Sequence, residues 1–452
     1  MTTAPSPRPS SPQASCRRGA FPPRDEVHHG EPPDPAQPLC PQGRRRRRPE
    51  GRTQKAGRGM ARTRAARLRT LEAVRRPAQR DGHGAALEQL HRMGRDTPHG
   101  AQDPGLPLGR VRPHLSHQRQ RLPHDDVRGD QRAVSILPIY LSEADVADLL
   151  DARGAIDVLD RAFRATAAGE TVNRPRTRIP LGQSTYNLMS AGWASEGVVG
   201  AKVYTVSAQG APMHMFLHAA DGSGLLAVLA AGRISGLRTG GVSGLSARYL
   251  ANDGNGPIGV IGAGFQAAAQ VRGIVAATGA DRVNVFSPSS ERREAFARQM
   301  SDELGIDVVP VGSPAEACSG ARVIVTITNS PTPVLDAADV PPGSHLVAAG
   351  NNTWMNTEVP PELLGRAATV VVDDVDQARL ECGELMRAAD RGLISWDRVR
   401  TLADVVSGVV PGRTAADDIT VFEWQGIALA DLAVAHHLYK AAKDKGRGTP
   451  LE

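Results

Sequence analysis

Residues 257–267 read PIGVIGAGFQA, and no other stretch constrains the fold as much. Ile258 to Ile261 is a short apolar run with β-branched members, the pattern of a buried strand. It enters Gly262-Ala263-Gly264-Phe265-Gln266-Ala267 directly, and a helical pattern follows from 266 to about 277. Strand, G-x-G-x-x-A turn and helix, in that order, open a dinucleotide-binding unit. Gly262 permits the tight turn, Gly264 removes the side chain that would bar a pyrophosphate, and Ala267 lets the helix pack closely on the strand. The free N–H groups and positive dipole of the helix N-terminus, where Phe265 and Gln266 sit, then face the anion. The alternative is a glycine-rich turn in an α/β domain that holds no nucleotide.

The formal net charge of +6 conceals two unlike parts. Residues 1–133 hold 27 Lys and Arg against 13 Asp and Glu, with a five-arginine run at 44–48, whereas the remainder is net acidic. Phe21 is the leader's only aromatic residue, and its one helical period, around 65–74, is weak. Such a composition cannot bury enough apolar area to offset the entropy of ordering it, so this leader is expected to be disordered. Lacking stacking aromatics or a recognisable module, it is not expected to bind nucleic acid. Its acidic residues and prolines argue against a transit peptide. The Arg/Pro/Gly/Ala bias fits a start placed too far upstream, which puts the beginning of the ordered chain near 134–136. No apolar run reaches the roughly 18 residues of a transmembrane helix, so no membrane association is expected. Cys16, Cys40, Cys318 and Cys382 show neither metal nor disulfide spacing. No metal is expected, and a reducing cytoplasm is the default.

The rest of the chain predicts an α/β protein of two domains. Over 135–252, Ser142 is a plausible N-cap for a helix through 150, and a second helical pattern covers 156–168. Alternating segments at 176–180, 186–190, 198–206, 213–219 and 225–229 predict a mostly antiparallel sheet. An amphipathic helix is expected over 235–250 despite four internal glycines. From 253 to 425 strands at 258–261, 282–286, 307–310, 322–327, 344–349 and 369–373 alternate with helices, the signature of a doubly wound parallel sheet, the Rossmann arrangement. After a strand at 419–422, a helix at about 427–442, within a segment 426–452, is expected to pack back on the first domain.

The second strand of the parallel sheet ends Val285-Phe286-Ser287-Pro288, with Glu291-Arg292-Arg293 just beyond. An NAD-binding unit ordinarily ends this strand with a carboxylate for the ribose 2′-OH. Ser287 and Arg292 suit a 2′-phosphate instead, so NADP(H) is favoured and NAD(H) is the alternative. Thr328, in the loop after the fourth strand, is expected beside the nicotinamide.

Several motifs then follow in order: RISGLRTGGVSGLSARYLA at 233–251, IGVIGAGFQAAAQ at 258–270, VTITNSPTPVL at 325–335, PGSHLVAAGNN at 342–352, Glu358, VVVDDVDQARLECGEL at 370–385 and VFEWQGIALADLAVA at 421–435. This succession resembles the ornithine cyclodeaminase/mu-crystallin family over 135–452. The resemblance implies a Rossmann domain, an N-terminal α+β domain that binds substrate and forms a homodimer, and an active site in the cleft between them. It also implies hydride exchange between a nicotinamide and the α-carbon of a small amino or imino acid. Arg176 resembles the arginine that clamps the substrate carboxylate, although Arg174 and Arg178 are close enough to confuse the match. Lys202 resembles the lysine that holds the carboxylate or protonates the substrate nitrogen. Arg238 and Thr239 resemble an Arg-Thr pair, with Arg238 reaching the cofactor phosphate.

One departure bears on the chemistry. In cyclodeaminases a catalytic aspartate follows Gly-Gly or Gly-Ala, and a lysine comes soon after; here those positions are Asn352 and Asn356. An amide cannot accept a proton at neutral pH, whereas Asn352 can still hydrogen-bond the substrate or the nicotinamide amide. The sequence therefore favours an imine reductase or amino-acid dehydrogenase. The alternatives are ornithine cyclodeaminase, with another acid such as Glu358 substituting, and a non-catalytic NADP(H)-binding protein.

Overall fold

A computed structural model describes residues 137–452; the expectations for the leader lie outside the described residues. The first part begins with β1 (Ile139–Leu141), α1 (Glu143–Leu149) and α2 (Ala152–Ala167). Ser142 Oγ accepts from the Asp145 N–H while the Asp145 carboxylate accepts from the Ser142 N–H at 2.9 Å, a reciprocal cap that fixes the start of α1. A meander follows: β2 (Thr171–Leu181), β3 (Ser184–Trp193), β4 (Val198–Val206), β5 (Met213–Ala219) and β6 (Leu225–Ala230). These strands pair antiparallel in sequence order, and β1 joins β6 in parallel. Period-2 burial sets the faces. Met189, Ala191 and Trp193 of β3 point inward while Leu188 points out, and Val198 and Lys202 of β4 point inward while Val199 points out. The β2–β3 register shifts between Arg174 and Thr177, where Pro175 has no N–H to offer the ladder.

Next come α3 (Gly232–Leu250) and the strand-helix alternation: β7 (Ile258–Ile261), α4 (Phe265–Thr278), β8 (Arg282–Phe286), α5 (Ser290–Leu304), β9 (Asp307–Pro310), α6 (Pro314–Cys318), β10 (Val323–Thr326) and β11 (His345–Ala348). It continues through α7 (Pro361–Arg366), β12 (Thr369–Val372), α8 (Val375–Glu381), α9 (Gly383–Asp390), β13 (Val399–Thr401), α10 (Leu402–Ser407) and β14 (Thr420–Glu423). The strands form one wholly parallel sheet in the order β13-β12-β14-β11-β10-β7-β8-β9. Consecutive residues serve opposite layers: Val325, Val347 and Val371 join one core, Ile324, Leu346 and Val370 the other. A sheet covered on both faces reads as continuous apolar runs, as these strands do. The strand order reverses between β7 and β10, which leaves a crevice beyond their carboxyl ends.

Two features differ from expectation. The helix over 235–250 is not amphipathic: α3 is buried around nearly all of its circumference. Its glycines are what allow this. A Cβ at Gly240 would lie 1.9 Å from the Ala269 carbonyl oxygen, and one at Gly273 of α4 would lie 1.9 Å from the Gly240 carbonyl oxygen, so α3 and α4 touch backbone to backbone. The short strands β1 and β13 carried no sequence signal of their own, nor did β15 (Thr449–Pro450), which pairs with β1. Between β14 and β15, α11 (Ala428–Asp444) packs on α2, α3 and the inner face of β2–β5, close to the cleft of the parallel sheet. Among the described residues no helix is long and apolar enough to cross a membrane.

Candidate active site

The turn after β7 is built for an anion. Gly262 holds φ at +122°, and a Cβ there would come within 2.4 Å of the Ile327 carbonyl oxygen. Gly264 is the N-cap of α4, with no side chain capping the helix, and a Cβ on it would meet nothing within 4 Å. The amides of the first turn therefore face open space, where a pyrophosphate fits. Ala267 is fully buried against the sheet and donates to the Gly264 carbonyl at 3.1 Å, whereas Phe265 is 81% exposed. Gly262, Gly264, Phe265 and Gln266 line a cleft of about 840 Å³. Ser287 and Arg292 close it beyond β8; Thr328 and Asn352 close it beyond β10 and β11. Arg293 is turned away, its guanidinium donating to the Ser287 carbonyl at 3.0 Å.

Beside this cleft α3, α11 and the meander gather a cluster of cations. Lys202 Nζ, on the inner face of β4, is 2.7 Å from Asp431 Oδ1 of α11. Arg238 Nε lies 3.2 Å from the same oxygen, and its guanidinium stacks over Trp424 at 5.4 Å. Burial above all, and then the Arg238 charge, lower the Lys202 pKa to about 7 against the opposing pull of Asp431. Arg176 is buried; its Nη1 pairs with Glu381 Oε2 at 3.1 Å and its Nη2 donates to the Gln425 and Gly426 carbonyls at 3.1 and 2.8 Å. A Cβ on Gly426 would fall 2.8 Å from Arg238 Nη1 and 3.3 Å from Arg176 Nη2, so the two guanidinium groups flank this residue of the cleft wall. Arg176 Nε and Thr239 Oγ1 are buried without a partner, free donors of the kind an anionic ligand satisfies.

Several sequence expectations change in detail. Arg238, expected at the cofactor phosphate, has its guanidinium in the Lys202–Asp431 cluster while still bordering the cleft. Arg174 is exposed, whereas Arg178 joins Arg176 on Glu381, its Nη1 at 2.5 Å from Oε1. Arg178 Nη2 also donates to the Asn352 carbonyl at 2.6 Å and lies 3.3 Å from Asn352 Oδ1, so the Asn352 amide is held from behind by an arginine. Glu358, the acid offered as a substitute base, is occupied. Its Oε1 accepts from the Thr328 N–H and Oγ1 at 2.5 and 2.6 Å, and its Oε2 accepts from the Gly350 N–H at 2.7 Å. Burial raises its pKa to about 7. It joins the loops after β10 and β11 from within, is buried, and is not among the residues that line the cleft.

Asp431 and Glu381 were missed as site residues, although both lie inside quoted motifs. The available signal was a single carboxylate in the apolar run ALADLAVA, which has to be paired if the helix is buried. Behind Glu358, Cys382 and the carboxylates of Glu384 and Glu423 bring their ligand atoms within 4.8 Å of one another. Burial raises all three pKa values, and the Cys382 thiol donates to Glu423 Oε2 at 3.4 Å.

The ornithine cyclodeaminase/mu-crystallin family model matches residues 138–446. The iminosuccinate reductase of Paracoccus denitrificans is 31% identical over 329 residues, 70% of this chain and 99% of that protein. Its structure in complex with NAD+ superposes with a TM-score of 0.66 at 30% identity, covering 70% of this chain and 99% of the other. The alanine dehydrogenase of Archaeoglobus fulgidus is 30% identical over 323 residues, 70% of this chain and 98% of that one. The Δ1-pyrroline-2-carboxylate reductase of Thermococcus litoralis, solved with NADH and L-proline, has a TM-score of 0.66 at 25% identity and covers 69% of this chain and 100% of its own.

Proposed function

Because the chain belongs to the ornithine cyclodeaminase/mu-crystallin family, we propose that it is a nicotinamide-dependent oxidoreductase that reduces a small α-imino acid to the amino acid, or runs the reverse oxidation. One observation supports the reading: three buried cations, Arg176, Lys202 and Arg238, gather behind the cleft wall, Arg176 and Arg238 flanking Gly426 and Lys202 and Arg238 sharing Asp431. Arg176, whose Nε alone lacks a partner, is the arginine assigned to the substrate carboxylate. Arg238 faces the same ligand from the other side of Gly426. Lys202, poised near neutrality, gives its proton to the substrate nitrogen as the C=N bond is reduced and takes it back in the reverse direction. The dinucleotide, when bound, supplies or accepts the hydride at the α-carbon. Asn352 and Thr328 border the cleft where the nicotinamide would lie and can hold its amide.

The lyase alternative has less support, since Asn352 is no base and both oxygens of Glu358 are already bonded. The non-catalytic alternative leaves Arg176 and Lys202 without a purpose. Ser287 and Arg292 at the cleft border support NADP(H) over NAD(H), although the related structures hold NADH or NAD+. Val172, Leu188 and Val199 form an apolar outer face on β2–β4, with exposures of 55, 38 and 42%, which supports a homodimer. Cys318 and Cys382 are buried and unpaired, which suits the cytoplasm. The deciding experiment follows oxidation of NADPH and NADH with Δ1-pyrroline-2-carboxylate, or with 2-oxo acids plus ammonium, against release of ammonia and proline from ornithine. Turnover only in the ornithine assay overturns the reading.

A further inference from the structure

The loops after β10 and β11 form the end of the cleft away from Ser287 and Arg292, and they offer it two polar side chains, Thr328 and Asn352. Behind each stands a charged residue that fixes what the side chain can do. Glu358 stands behind Thr328. Its Oε1 accepts from the Thr328 N–H at 2.5 Å and from the Thr328 hydroxyl at 2.6 Å, while its Oε2 accepts from the Gly350 N–H at 2.7 Å. The Glu358 main chain is held as well: its N–H donates to Glu384 Oε1 at 2.6 Å and its carbonyl accepts from the Val334 N–H at 2.9 Å. A Cβ on Gly350 would fall 2.1 Å from the Thr328 carbonyl oxygen and 2.3 Å from Glu358 Oε2, so the two loops meet with no side chain between them.

A hydroxyl has one proton and two lone pairs. The Thr328 proton goes to Glu358, and one lone pair accepts from the Ser330 N–H at 3.2 Å. One lone pair is left, so toward the cleft Thr328 accepts and does not donate. Asn352 is fixed in the opposite sense. Arg178 Nη2 donates to the Asn352 carbonyl at 2.6 Å and lies 3.3 Å from Asn352 Oδ1. Turning that amide over would set its NH2 against the guanidinium, so the end Asn352 has left for a ligand is its Nδ2 donor. The wall therefore displays one acceptor and one donor, the complement of a primary carboxamide. A carboxylate has no proton to give and would leave Thr328 unmatched.

We propose that Glu358 and Arg178 are positioning residues for the nicotinamide carboxamide, Glu358 holding Thr328 as the acceptor for its N–H and Arg178 holding Asn352 as the donor to its C=O. The inference rests on the reading of the cleft as a nicotinamide-dinucleotide site. Holding both ends of the carboxamide sets the rotation of the ring about its glycosidic bond, and with it the face that meets the substrate.

Calorimetric titrations of the whole protein at about pH 8.5 keep Glu358, pushed up to about 7, ionised. They compare ADP-ribose, NAD+ and NADP+, and the 3-acetylpyridine analogues of both dinucleotides, in which a methyl group replaces the NH2. ADP-ribose lacks the nicotinamide and reports on the rest of the site. The native protein should bind the carboxamide form at least about fivefold more tightly than the acetyl form. Thr328→Val should remove that preference and Glu358→Gln should reduce it at least about threefold, while ADP-ribose affinity changes less than about twofold in both. Arg178→Met should weaken the carboxamide and acetyl forms alike, since both keep the C=O, and should leave ADP-ribose binding as it is. Equal affinity of the native protein for the two forms overturns the proposal. So does a native ratio in Thr328→Val or Glu358→Gln, the result of a role confined to holding the fold, and so does an Arg178→Met protein that binds every ligand as the native one does. If Glu358→Gln fails to fold, the Thr328→Val ratio decides. If neither ADP-ribose nor any dinucleotide binds, the reading of the cleft itself fails and takes this inference with it.

Discussion

Lys202 Nζ and Asp431 Oδ1 meet at 2.7 Å across 229 residues of chain, both side chains buried. Breaking such a pair by removing one partner costs about 3–5 kcal/mol, so loss of fold has to be separated from loss of chemistry. Lys202→Ala, with Lys202→Met as the shape-filling control, should lower turnover by about 100- to 10,000-fold while dinucleotide affinity stays nearly intact. Melting temperatures and dinucleotide titration check the fold and the cofactor site in the same samples. Substantial residual turnover in either variant removes Lys202 from the mechanism.

The same pair sets a pH profile. With Lys202 near 7, the proton-donating ammonium disappears as pH rises, so kcat/KM for imine reduction should fall about tenfold per unit above neutrality. Asp431 opposes the lowering, so Asp431→Asn should drop the Lys202 pKa further and move the falling limb to lower pH. A limb that stays in place in Asp431→Asn shows that another group donates the proton.

The two glycines of the turn should fail in different ways. Gly262→Ala forces a Cβ onto the Ile327 carbonyl at positive φ, so both stability and dinucleotide affinity should fall. Gly264→Val meets no protein atom within 4 Å of its Cβ and should melt close to the native temperature, yet lose at least about tenfold in dinucleotide affinity. Calorimetric titration beside thermal melting distinguishes the two, and normal binding by Gly264→Val would move the pyrophosphate elsewhere.

Two buried acids give stability a direction with pH. Burial raises Asp373 to about 8 and Glu358 to about 7, so between about pH 4 and those values the folded chain holds protons that the unfolded chain has released. Their contribution to stability is full below about pH 4 and is lost as pH rises toward 7–8, at up to about 1.4 kcal/mol per unit for each proton. Buried His345 and Lys202, lowered to about 3 and about 7, pull the other way in parts of this range, so the test is comparative: in denaturant melts from pH 5 to 8, Asp373→Asn should lose less stability with rising pH than the native chain. An undiminished slope in that variant assigns the proton uptake to other groups.

The apolar outer face of β2–β4 gives a test of assembly. Leu188→Lys combined with Val199→Lys adds charge at two outward positions without touching the inner face that carries Lys202. Light scattering should report a dimer for the native chain and a monomer for the variant. An unchanged mass places the contact on another surface.

The parallel sheet was the most legible part of the chain. β7, β8 and β9 fall at 258–261, 282–286 and 307–310 as expected, because each carries β-branched apolar residues and is followed by turn residues. The turn at 262–267 was legible for the same reason. The pairings of the site were not: Glu381 lies 205 residues from Arg176 and Asp431 lies 229 from Lys202, and local period carries no information about which buried charge meets which. The amphipathic expectation for α3 failed because local period does not show that its glycines admit the backbone of α4 and so bury the face that carries them.

That backbone contact has a mechanical consequence. α3 carries Arg238 and α4 begins at the glycine turn, and the two helices meet at Gly240 and Gly273 with no side chain between them. A joint with no rotamers to rearrange cannot slide or breathe much, so the interval between that guanidinium and the phosphate-facing amides is fixed like a gauge block. Any tightening around a ligand has to come from the opposite wall, where β2 and α8 bring longer side chains together, and that is also the wall most easily recut for a different substrate.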